Sequence, residues 1–231
     1  MLETRVQGEE LMDADDLDSG VYAAVVADLA RVNTVTLAAR PTLAFLDRNA
    51  RHLRRLRLLD VGFGDGDTLR RIARWAERRG VEAELVGVDL NPRSEAAARA
   101  RTPADLPIRY VTGDYAAMPR SPEGHGWDAI VSSLVAHHMT HAQLVAFVRF
   151  MDANARSWFV NDLHRHGFAF RGFPLLAALA RWHPIVRHDG RLSIARSYRP
   201  AEWPPILHEA GVTGARVFRA FPFRLCVAKT S

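Results

Sequence analysis

Four short stretches of this 231-residue chain carry residues whose types and spacing could do chemistry. The first is Asp60-Val61-Gly62-Phe63-Gly64-Asp65-Gly66-Asp67. Glycine has no Cβ, so this run can turn sharply and let a ligand lie against the backbone, while its acids make the turn negative. The second is Asp89, which ends an apolar run roughly 20 residues beyond the glycine turn, a spacing at which a carboxylate accepts both hydroxyls of a ribose. The third is His137-His138-Met139-Thr140-His141; an imidazole titrates near neutrality and can take a proton from a phenol-like hydroxyl, with His137 or His138 lining the pocket. The fourth is Asn161-Asp162-Leu163-His164-Arg165-His166, where Asp162 can orient a histidine or bind an acceptor hydroxyl and His164 is an alternative base. His137 and His141 could share a metal ion on a helix, but no third ligand stands at a suitable spacing, so no metal site is expected.

The charges around the glycines choose between ligands. A dinucleotide fingerprint, G-x-G-x-x-G, places a pyrophosphate on the following helix N-terminus. Gly62 and Gly64 fit it, but Asp67 occupies the third glycine position and Asp65 adds another acid, and both would repel a pyrophosphate. S-adenosylmethionine (SAM) has no phosphate. Its ammonium and sulfonium can face Asp60 and Asp65, and its carboxylate can use the free N–H groups at the helix start.

Asp60-x-Gly62-x-Gly64-x-Gly66 resembles motif I of the class I SAM-dependent methyltransferases. The resemblance spans roughly residues 55 to 231 and implies a cofactor site built from Asp60, Gly62, Gly64, Asp65, Gly66 and Asp89. Leu90 would lie against the adenine, Asp114 would accept from its amino group, Tyr115 would stand beside the ring, and Ser132 would join the cofactor residues. The pattern Ser132-Ser133-Leu134-x-x-His137-His138 resembles small-molecule methyltransferases related to the ubiquinone and menaquinone biosynthesis group. It lacks the Asn/Asp-Pro-Pro-Tyr-like motif of enzymes that methylate base amino groups and the acids of catechol-type enzymes. The expected activity is methyl transfer to a small, largely apolar aromatic or polyketide-like acceptor at a hydroxyl oxygen. C-methylation of a phenolic or quinone-like ring, or RNA methylation, is the alternative.

Composition bounds this reading. The chain is 48% hydrophobic and 25% charged, ordinary for a globular protein. A single cysteine, Cys226, excludes an internal disulfide and a cysteine metal cluster. No apolar run is long enough to span a bilayer, and the acidic N-terminus does not resemble a signal peptide, so a cytoplasmic protein is expected. The net charge of +5 invites a nucleic-acid reading. Lys229 is the only lysine, however, and the arginines are scattered rather than aligned, which favours a solvated surface.

The elements that must position these groups follow from periodicity. Strands are expected at 57–61, 83–92, 108–115 (the last including an exit loop), 127–134 and 157–163, with a terminal antiparallel hairpin over 212–219 and 223–229. The expected fold is thus a Rossmann-like α/β domain with a seven-stranded mixed sheet. Residues 1–54 are expected as an N-terminal helical cover: a mobile acidic leader, a helix from about Asp18 with Val21, Val25, Leu29 and Val32 on one stripe, and a second helix opening at Pro41. Residues 55–231 form the methyltransferase domain, with a lid-like insertion at about 163–199. Within it, Phe168 to Trp182 reads as a helix either well buried or covering an apolar ligand, with a weak basic face that leaves membrane-surface contact open. His188-Asp189-Gly190 reads as a turn, and 118–126 as a surface loop.

Overall fold

The computed structural model describes residues 2–14, 16–118 and 126–230. One sheet contains β1 (Arg55–Val61), β2 (Glu82–Asp89), β3 (Ile108–Thr112), β4 (Trp127–Ser133), β5 (Ala155–Leu163), β6 (Arg216–Ala220) and β7 (Arg224–Thr230). Their order is β3-β2-β1-β4-β5-β7-β6. The first five strands are parallel, and β7 runs antiparallel to both β5 and β6. This is the expected Rossmann-like seven-stranded mixed sheet closed by a terminal hairpin. The strand order reverses between β1 and β4, and ligands of open α/β sheets bind above the carboxyl ends at such a point.

Both faces of the sheet are covered, which is why its strands read as apolar runs. Side chains alternate between faces. Leu56, Leu58, Leu85, Val131 and Phe159 join the core beneath α2 (Arg40–Asn49) and α3 (Asp67–Arg79). Leu59, Val86, Ile130, Trp158 and Val160 join the core against α5 (His141–Asn154) and α8 (Trp203–Glu209). α4 (Pro92–Arg101) connects β2 to β3, with Asn91 capping its start. A third cluster packs Val25 and Val32 of α1 (Ser19–Val35) against Ala177 of α6 (Gly167–Leu179), Trp182, and Val186 of α7 (Pro184–Arg196).

The structure departs from the sequence expectation in three places. Residues 2–14 are not a loose leader but a strap laid across the molecule. Arg165 donates to the carbonyls of Leu2 and Glu3, Arg5 to those of Arg196, His137 and Met139, and the backbone N–H groups of Leu11 and Met12 to Asp189. His188-Asp189-Gly190 lies inside α7 rather than at a turn. A Cβ at Gly190 would run into the Phe173 ring, so this glycine serves the close approach of α7 to α6. Finally, α6 buries only Ala177 and leaves Phe168, Leu175 and Leu179 at 75%, 68% and 84% exposure. The loop expected over 118–126 lies, apart from its end residues, outside the described residues.

Candidate active site

β1 ends at Val61, and the chain then crosses three left-handed glycines before α3 begins: Gly62 (φ 76°), Gly64 (φ 55°) and Gly66 (φ 77°). A Cβ at Gly62 would meet Val135, and one at Gly66 would meet the Tyr110 hydroxyl, whereas one at Gly64 would meet nothing within 4 Å. The outer two glycines therefore fit the loop to the protein, and Gly64 faces open space. Asp60 lies beneath this loop, 1% exposed, and neither carboxylate oxygen has a hydrogen-bond partner. Burial, and then the charge of Asp89, push it up to about 7. A buried acid without a partner is costly, and a cationic ligand above the loop would supply one.

At the end of β2, Asp89 accepts from the backbone N–H groups of Gly64 and Asn91, both at 2.9 Å. These two bonds fix the carboxylate at the cleft margin and leave lone pairs for further donors. Leu90 beside it is 73% exposed. Asp114 caps a short 3₁₀ turn, accepting from Ala116 N at 2.8 Å. An orphaned acid, an open glycine and a fixed carboxylate together fit SAM.

Three further expected cofactor residues make contacts within the protein. Asp65 forms salt bridges with Arg70 (3.2 Å) and Arg101 (3.1 Å). Ser132 is buried, and its hydroxyl donates to the Val61 carbonyl at 2.9 Å, bracing β4 against β1 beneath the loop. The Tyr115 ring packs edge-on against Phe147 and Phe150, 5.0 and 4.9 Å between centroids, which draws it toward α5.

After β4, Val135 contacts the glycine loop, and a 3₁₀ turn over Ala136–His138 follows. The backbone N–H of His137 donates to Asp162 Oδ2 at 2.8 Å, and its Nδ1 lies 2.7 Å from Asp162 Oδ1. Its Nε2 faces Glu10 Oε1 at 3.7 Å. Burial opposes the charged ring, but the two carboxylates outweigh it and raise His137 to about 9. His138 is the opposite case. Burial, and then the neighbouring His137 charge, hold it down to about 4, although a third of its side chain remains open to solvent. Adjacent histidines are thus split into a cation fixed by Asp162 and a neutral imidazole, a separation that divides acid from base roles.

His164 is not brought to this pair. Its N–H bonds to the Phe223 carbonyl, and burial followed by the charges of His166, Arg219, Arg199 and Arg165 lowers its pKa, which places it on the hairpin side of β5. Arg165 pairs with Glu202 at 2.6 Å rather than with Asp162. Glu10, His137 and His138 bring ligand atoms within 4.8 Å of one another and could in principle hold a metal ion. Protonated His137 and the Arg196 guanidinium, 3.6 Å from Glu10 Oε1, already supply that carboxylate with positive charge. Glu10 is the residue that sequence reasoning missed. It lies in an acidic run with nothing to set it apart, and its partners are more than a hundred positions away.

Residues 58–156 match the family described as the methyltransferase domain. No curated protein sequence matches the chain. Among solved structures, the plantazolicin methyltransferase BpumL in complex with SAH superposes with a TM-score of 0.62 at 13% identity, covering 89% of each chain. The human N-acetylserotonin methyltransferase in complex with SAM gives 0.64 at 16% identity, over 98% of this chain and 61% of that one. The citrinin polyketide synthase CMeT domain structure gives 0.57 at 16% identity, over 83% of this chain and 52% of that one. This chain therefore spans less than two thirds of the length of the last two. At these identities the likeness is one of fold, and the methyltransferase-domain family model matches residues 58–156, less than half of the chain.

Proposed function

We propose that this enzyme transfers a methyl group from SAM to a hydroxyl oxygen of a small, largely apolar aromatic or polyketide-like acceptor. The observation that carries this reading is the histidine pair beside the glycine loop, with the His137 ring held by Asp162 and His138 partly open to solvent. When bound, SAM supplies an electrophilic methyl group on a sulfonium. Asp60 faces the cationic part of the donor, and Asp89 holds the ribose hydroxyls. Asp114 and Leu90 flank the adenine. His138 takes the proton from the acceptor hydroxyl, and His137, its ring fixed by Asp162, steadies the oxygen as charge develops. Residues 1–54 and about 163–199 act as the walls of the acceptor site. The apolar stripe of α6 supports weak contact with a membrane surface. The Ser132-Ser133-Leu134 and His137-His138 pattern supports a place near the ubiquinone and menaquinone group. C-methylation of a phenolic ring would use the same base and is separated by NMR of the methylated product.

The test is a screen of phenolic acceptors by homocysteine release. His138→Gln is expected to lower kcat about 10²–10⁴-fold while SAH binding stays unchanged. Undiminished turnover in His138→Gln would remove the base from the reading.

A further inference from the structure

The Glu10 carboxylate occupies a site built from side chains of other elements. Its Oε1 accepts from Ser193 Oγ at 2.7 Å and lies 3.7 Å from His137 Nε2, 3.8 Å from His138 Nε2 and 3.6 Å from Arg196 Nη1. Arg196 Nη1 is buried and has no hydrogen-bond partner. Four donors thus converge on one oxygen, from the 3₁₀ turn after β4 and from α7. That turn follows directly on Val135, which touches Gly62 of the donor loop.

The occupying oxygen comes from the strap, which has only a 3₁₀ turn over Leu11–Asp13 of its own. The strap also brings Asp13 Oδ2 to 3.8 Å from His138 Nδ1. If residues 2–14 move away, two carboxylates leave together. His137 and Arg196 then remain, with Asp162 and the α7 residue Asp189 as the fixed acids nearby. A buried cluster of donors that has lost its anion is expensive to leave unpaired, so it selects another anion.

We propose that the acceptor binds as an oxyanion, a phenolate or carboxylate oxygen, in the place held by Glu10 Oε1 between Ser193, His137, His138 and Arg196. The strap acts as an internal stand-in that the acceptor displaces. This rests on the methyl-transfer reading above and narrows its substrate class to acidic acceptors: a phenol becomes the oxyanion by giving its proton to His138, which then donates it back as a hydrogen bond, whereas a carboxylic acid arrives already ionised.

The experiment is calorimetric titration of the full chain saturated with SAH, with benzoate as the probe and benzamide as its neutral control. Wild-type protein is expected to bind benzoate weakly, because its own carboxylate competes. Glu10→Gln keeps the size of the side chain and removes its charge; it should bind benzoate about ten-fold more tightly and benzamide no better. Adding Arg196→Met should abolish that gain. An equal gain for both probes, or no gain for either, overturns the proposal. Thermal unfolding checks that each variant folds. If Glu10→Gln does not, hydrogen exchange in the wild type decides: saturating benzoate must speed exchange of the Leu11 and Met12 amides, and unchanged exchange overturns the proposal. SAH binding in the same cell separates the two readings. Its loss in wild type defeats methyl transfer, whereas retained SAH binding without a benzoate response defeats only the oxyanion site.

Discussion

Asp60 has the most unusual environment in the donor cleft, because it is enclosed by the sheet and offered no hydrogen bond. Its pKa is raised, so in the ligand-free protein it costs stability as pH climbs from its unfolded value of about 4 through 7. A cationic ligand favours the ionised form and must release the proton at lower pH. SAM affinity is therefore expected to be about ten-fold weaker at pH 6 than at pH 8, and Asp60→Asn should flatten that dependence and weaken binding throughout. Calorimetry in buffers of different ionisation enthalpy would show the released proton; a flat wild-type profile between pH 6 and 8 would count against Asp60 as the donor's counter-charge. The acid was legible in the sequence because strand, glycines and carboxylate are contiguous there. The arginine pairing of Asp65, five positions on, was not. Its arginine partners come from α3 and the end of α4, and no local pattern says which carboxylates are already spent.

At the scale of elements, Gly190 shows how one letter supports two physical readings. Beside Asp189 it resembled a chain reversal, but its φ is ordinary and its purpose is room for the Phe173 ring. Gly190→Ala should therefore overpack the α6–α7 contact and destabilise the protein by about 1–3 kcal/mol in urea denaturation. A turn glycine with free space around it would tolerate alanine at smaller cost. The strands and helices of the sheet could be read from periodicity, since each apolar run is local and both faces are covered. The strap could not. What holds it, Arg165, Asp189 and Arg196, lies at the other end of the chain, and its own residues are mostly polar, with no helical or strand period in the few apolar ones. The same limit hid the orientation of α6. Its apolar residues were visible, but the identity of the buried face was set by α7 and α1, which leave Leu175 and Leu179 outside.

On the scale of the whole molecule, the net charge of +5 is the strongest argument for a nucleic-acid substrate, and the positions of the arginines answer it. Many are paired within the fold: Arg55 and Arg57 with Glu84, Arg71 with Asp67, Arg79 with Asp47 and Arg99 with Glu95. Other arginines are exposed, among them Arg48, Arg51 and Arg54, Arg74 and Arg78 on α3, and Arg171, Arg187 and Arg191 on α6 and α7. Residues 48–54 lead into the first residue of β1, and α3 ends just before β2 begins, so the positions nearest those strand starts lie at the amino ends of the sheet. The donor loop, Asp89 and the histidines lie at the carboxyl ends. An RNA held by the Arg48–Arg54 group would have its bases a strand's length away from the transferred methyl. RNA binding through that group should therefore be weak, with a log–log salt slope shallower than about −2, corresponding to roughly three phosphates or fewer. Arg48→Glu combined with Arg51→Glu should remove that binding while turnover of a small phenolic acceptor stays at the wild-type rate. A steep salt slope, or loss of small-acceptor turnover in the double variant at unchanged thermal stability, would show that the basic end and the carboxyl-end site work together after all.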